Sequence, residues 1–122
     1  MKAEDKTLKN NPMNDEVIDY FFNKSMLNIG VLAELLNPDN NEIDLTKTVN
    51  IIKELDEDVN ILDDEIEELK NKVYNDNAMY TSFNLGYICF LQGLYHDLLK
   101  KFNSLLEIFN YYFKIGVVKD GI

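Results

Sequence analysis

The sequence has no arginine, no tryptophan, one cysteine and one histidine among its 122 residues. Twelve lysines stand against 22 acidic residues, so the formal net charge is −10. A surface of this sign repels phosphate groups, which argues against nucleic acid as a direct partner. The single cysteine, Cys89, excludes an internal disulfide and a thiolate cluster for zinc or for iron and sulfur. Such cysteine use is typical of a reducing compartment, and we expect a cytoplasmic protein.

Long apolar runs are also missing. Residues 1–6 lead into no apolar segment, so we expect no secretory signal. The most apolar stretch, residues 83–99, contains polar residues such as Asn84 and Asp97 and falls short of the ~20 apolar residues that a membrane span needs. The hydrophobic share of 46% is nevertheless sufficient for a packed core. We therefore expect a globular protein that binds no membrane.

The hydrophobic pattern predicts one helical domain between two short terminal segments. Residues 1–13 are polar and have no apolar period, which is typical of a flexible N-terminal arm. Residues 14–116 are predicted to form the domain, and residues 117–122 a C-terminal tail. Turn-forming residues at 37–41 and at 75–77 predict two connections, and therefore three helices.

The second of these helices has the clearest periodicity. The first helix is predicted over residues 14–36, with Asn14 as its N-cap, and the second over residues 44–74, with Asp44 as its N-cap. Apolar residues in the second helix alternate at spacings of three and four, with β-branched residues at heptad position a and leucine at position d. These residues are Ile52, Leu55, Val59, Leu62, Ile66, Leu69 and Val73.

The third helix is predicted over residues 78–114, uninterrupted at Asn103–Ser104, with Gly116 as its C-terminal stop. A seam with β-branched residues at a and leucine at d is typical of a parallel dimer. A tethered third helix, however, is present at a millimolar effective concentration or above, which favours an antiparallel hairpin. The predicted fold class is all-α: a long antiparallel helical hairpin with a shorter N-terminal helix packed on it, forming a three-helix or four-helix bundle.

Nine carboxylates lie within fifteen positions of the second helix, and the facing part of the third helix has no lysine. In the first helix, only Lys24 is available to neutralise these carboxylates. One interpretation is that the acids merely keep the protein in solution. The other is that they imitate phosphates and bind a basic groove of a nucleic-acid-handling protein. The residues are Glu54, Asp56, Glu57, Asp58, Asp63, Asp64, Glu65, Glu67 and Glu68.

Small residues form a stripe along the third helix, at spacings of four, three and four: Ser82, Gly86, Cys89 and Gly93. Each glycine costs a helix about 1 kcal/mol relative to alanine, so the stripe indicates the close approach of another helix. We expect that helix to be the first helix of the same chain. The alternatives are the third helix of a second subunit and a ligand cleft.

Aromatic and aliphatic residues crowd the end of the third helix: Leu105, Leu106, Ile108, Phe109, Tyr111, Tyr112, Phe113 and Ile115. In one interpretation, the N-terminal arm and the connection at residues 37–44 cover this end. In the other, the end is a dimer contact, because large apolar patches are rarely left exposed. Phe109, Tyr112 and Phe113 then join the small-residue stripe as oligomerisation residues of a homodimer.

The sequence shows no catalytic or metal-binding arrangement. His96 is the only histidine, and Asp97 beside it points to a different face of the helix. Cys89 lies about 10 Å from His96 along the helix, too far for direct activation. Residues 39–44 resemble a calcium loop but lack its glycine. We predict no catalytic, cofactor-binding or metal-ligating residues, and no enzymatic activity.

Residues 83–87, Phe-Asn-Leu-Gly-Tyr, precede a leucine-rich helix and resemble a segment of short helical proteins from Firmicutes and their mobile elements. This resemblance implies no mechanism. We predict an acidic inhibitor or regulator, encoded by a phage or other mobile element, that binds a basic partner by phosphate mimicry. The alternative is a coiled-coil scaffold module that oligomerises and whose acidic face serves solubility alone.

Overall fold

The computed structural model describes residues 15–37, 39 and 42–116, which form three α-helices. The helices are α1 (Glu16–Leu35), α2 (Leu45–Asn75) and α3 (Ser82–Lys114). The all-α prediction is confirmed. The predicted arm, residues 1–13, and the predicted tail, residues 117–122, lie outside the described residues.

Side-chain caps set the starts of the first two helices. The Asp15 carboxylate accepts the backbone N–H groups of Val17 and Ile18, each at 3.1 Å, and so satisfies two of the free donors at the start of α1. The cap predicted at Asn14 is therefore one residue too early. The predicted cap at Asp44 is confirmed, because its carboxylate accepts the N–H of Lys47 at 3.0 Å.

The turn between α2 and α3 is longer than predicted. The backbone carbonyl of Asp76 accepts N–H groups from Met79 and Tyr80, both at 2.9 Å. α3 consequently starts at Ser82 rather than residue 78, and the Thr81 hydroxyl caps it by accepting the N–H of Asn84 at 3.1 Å. The helix then runs unbroken to Lys114, as predicted.

A left-handed glycine follows the last helix. Gly116 has a φ of +84°, a conformation that costs residues with a Cβ more than it costs glycine. Its N–H reaches the carbonyl of Phe113 at 3.2 Å. The prediction that Gly116 stops the helix is confirmed.

Cross-helix contacts define the direction of each helix. Lys24 of α1 meets Asp58 of α2, and Asn28 meets Glu54, so α1 and α2 are antiparallel. The short turn makes α3 antiparallel to α2 and parallel to α1. The predicted hairpin with a shorter helix packed on it is confirmed. α1 and α2 share the most extensive contact, whereas α1 and α3 touch least.

The predicted apolar seam of α2 forms the centre of the core. Six of its seven residues are buried, and Ile52 is half-buried: the six are Leu55, Val59, Leu62, Ile66, Leu69 and Val73. Fully burying one such side chain stabilises the fold by roughly 1.5–3 kcal/mol. α1 supplies Ile18, Ile29 and Leu32 to this core, and α3 supplies residues such as Ile88 and Leu91. This packing fixes which side of α2 faces the solvent.

Candidate functional site

The nine predicted carboxylates separate into three sets around α2, because successive residues of a helix turn by about 100°. The first set lies on the side of α1, the second points away from the core, and the third lies on the side of α3. In that order the sets are Glu54, Asp58 and Glu65; Glu57, Asp64 and Glu68; and Asp56, Asp63 and Glu67.

Asp58 is buried between α1 and α2, with 3% of its surface exposed. The Lys24 ammonium lies 3.1 Å from its Oδ2 and donates a hydrogen bond to its Oδ1 at 3.4 Å. That hydrogen bond raises the pKa of Lys24 above its ordinary value of 10.5, although partial desolvation opposes the shift. The expectation that Asp58 faces solvent without a cation is wrong.

Glu54 lies one helical turn before Asp58 and is also engaged by α1. Its Oε2 accepts a hydrogen bond from the Asn28 side-chain amide at 2.6 Å, and its Oε1 lies 4.0 Å from the Lys24 ammonium. Glu65, on the same side of α2, is half-buried. Glu54 and Asp58 therefore belong to the interface between α1 and α2, where Asn28 and Lys24 bind their carboxylates.

The other six carboxylates are all exposed, and we call them the acidic face: Asp56, Glu57, Asp63, Asp64, Glu67 and Glu68. They form two neighbouring rows, each with spacings of seven and four residues. At 1.5 Å per residue, each row is about 17 Å long. Among the described residues, the acidic face has one ion pair, between Lys70 and Glu67 at 3.6 Å. An exposed pair of this kind contributes about 1 kcal/mol or less, so the face stays strongly negative.

Tyr95 of α3 lies beside the acidic face. Burial raises the pKa of its hydroxyl above the ordinary value of 10.0, and the negative charges of Asp63 and Asp64 raise it further. The field of the acidic face thus reaches the neighbouring helix. Among the described residues, no lysine of α3 forms an ion pair with the face.

The small-residue stripe faces open solvent. Ser82, Gly86, Cys89 and Gly93 are all exposed, and a Cβ atom added at either glycine would meet no atom within 4 Å. The expectation that α1 packs on the stripe is wrong. Large apolar residues, including Ile88 and Leu91, lie on the opposite side of α3, and their burial turns the small residues outward. The second-subunit and ligand-cleft alternatives stay predictions.

The aromatic end of α3 is partly covered. Phe109 and Tyr112 are half-buried against the core, and Ile43 of the connection is also half-buried against the core. Both interpretations of this end stay predictions. Phe113 is 39% exposed. A shallow cleft of about 560 Å³ remains at this end, lined by Leu36, Ser104, Glu107, Ile108, Tyr111 and Tyr112. The N-terminal arm, which the first interpretation also invoked, lies outside the described residues.

A groove that the sequence did not predict runs between α1 and α3. It has a volume of about 360 Å³ and is lined by residues of both helices. Its lining is mainly apolar, with Asp19, Asn23, Asp97 and Lys101 as the polar members. The apolar members are Phe22, Met26, Tyr87, Phe90, Leu91, Leu94 and Leu98. A signal was present in the sequence: residues 77–96 contain no Asp, Glu, Lys or Arg.

The described residues bring no reactive groups together. His96 and Cys89 are exposed, and they lie seven residues apart on α3. No group of three or more His, Cys, Asp or Glu side chains in this part of the chain could hold a metal ion. None of the helices described is long and apolar enough to cross a membrane. The chemistry visible on this surface is charge and apolar contact.

The chain matches no protein-family model, no curated protein and no solved structure. Its class rests on the fold alone, which is a three-helix bundle with an acidic face on α2.

Proposed function

We propose that this chain is a non-enzymatic binding protein whose acidic face docks on a basic surface of a nucleic-acid-handling protein. One observation carries the proposal: six exposed carboxylates form two rows on a rigid helix, with a single lysine partner among the described residues. Where neighbouring acids in a row are one helical turn apart, their Cβ atoms stand about 5–6 Å apart. A basic groove that neutralises the phosphates of a nucleic acid would find a comparable array of negative charges on the acidic face.

The energetics of such docking follow from electrostatics. A net charge of −10 steers the chain toward a positive surface and raises the rate of association. The screening length is about 8 Å at physiological salt, so added salt weakens binding. We accordingly propose an inhibitor or regulator that occupies the partner's nucleic-acid site. We also propose that it acts in the cytosol, and that it derives from a phage or other mobile element.

A second function, an oligomerisation scaffold, is favoured by a different observation, the apolar groove between α1 and α3. In that case the acidic face serves solubility alone, and we would expect the affinity for a partner to be the same at low and at high salt. The two functions are compatible in one molecule, since the groove and the acidic face use different surfaces.

Two variants with the same net charge test the acidic face. The face variant neutralises four exposed acids of α2: Asp56→Asn, Asp63→Asn, Asp64→Asn and Glu68→Gln. The control variant neutralises four exposed acids elsewhere: Glu16→Gln, Asp39→Asn, Glu42→Gln and Glu107→Gln. Asp58 is left unchanged because it is buried and forms the 3.1 Å ion pair with Lys24 between α1 and α2, so its substitution would disturb the fold.

The measurement is capture from a bacterial lysate on immobilised protein, at low and at high salt, read by mass spectrometry. We expect basic nucleic-acid-binding proteins on the wild-type chain and the control variant at low salt, and their loss from the face variant. Equal retention on all three chains would refute the proposal, because another surface would then account for binding. Equal loss from both variants would also refute it, because net charge alone would then account for binding.

A further inference from the structure

We draw no further inference here: the strongest candidate, the apolar groove of about 360 Å³ between α1 and α3, carries none because nothing in the structure shows what covers it.

Discussion

Removing one charge from the acidic face should stabilise the protein. Asp64 stands three and four residues before Glu67 and Glu68, and all three side chains are exposed. Like charges at these spacings destabilise a helix by roughly 0.2–0.5 kcal/mol per pair. Asp64→Asn removes two such pairs and should add about 0.4–1 kcal/mol to the free energy of unfolding. For a domain of about this size, that gain corresponds to a Tm increase of roughly 2–8 °C.

The same substitution on α3 should have the opposite effect. Asp97 stands three and four residues before Lys100 and Lys101, with which it forms attractive pairs by spacing. Asp97→Asn should therefore lower the free energy of unfolding by about 0.4–1 kcal/mol. Because both variants replace aspartate with asparagine on an exposed helical surface, helix propensity and overall charge change alike. The sign of the effect then reports the local charge alone.

The assay is thermal unfolding followed by circular dichroism at about 0.01 M and about 1 M salt, where the screening length falls from about 30 Å to about 3 Å. We expect opposite Tm shifts at low salt that converge toward zero at high salt. If Asp64→Asn leaves Tm unchanged or lowers it at low salt, other charges compensate the acidic face and like-charge repulsion at Asp64 is refuted. A gain that persists at high salt would also refute it, since the cause would not be charge.

Three further outcomes are expected. Leu62→Ala, at a fully buried site of α2, should lower the free energy of unfolding by about 2–5 kcal/mol in a denaturant titration. Leu27→Ala, at an exposed site of α1, should change it by about 0.5 kcal/mol or less. In a double-mutant cycle, Lys24→Met and Asp58→Leu should each lower Tm. The double variant should lower Tm by less than the sum of the two single decreases. Additive decreases would argue against the ion pair. The fold raises the pKa of Tyr95, so this residue contributes stability below pH 10.0 that is lost as the pH rises through the folded pKa. A Tyr95→Phe chain should therefore lose less stability above pH 10.0 than the wild-type chain. Parallel losses in both chains would contradict this.

Local patterns in the sequence were sufficient to predict much of the fold. The alternating three-four spacing of α2 places its apolar residues on one side of a helix, so Leu55 and Leu62 could be assigned to the core without knowledge of the neighbours. Caps are equally local, and Asp44 was predicted for this reason. Asn14 was predicted in place of Asp15 because both residue types cap well and both precede the same apolar run.

Features that depend on how helices face each other were not predictable. α3 is apolar on nearly every side, so its sequence does not specify whether Gly86 or Ile88 points inward, and the larger side chain is the one buried. The pairing of Lys24 with Asp58 depends on the register of α1 against α2, which the local sequence of either helix does not specify. A local hint existed, because Asp58 occupies heptad position g, next to the apolar seam.

Competition with DNA is the most direct test of the central claim that the acidic face stands in for phosphates. A basic protein captured by the wild-type chain is bound to a fluorescent DNA duplex, and the wild-type chain, the face variant and the control variant are each titrated against that complex by fluorescence anisotropy. We expect the wild-type chain and the control variant to release the duplex and the face variant to leave it bound, with release weakening as salt rises. A ternary complex in which the duplex stays bound at saturating wild-type protein would contradict it.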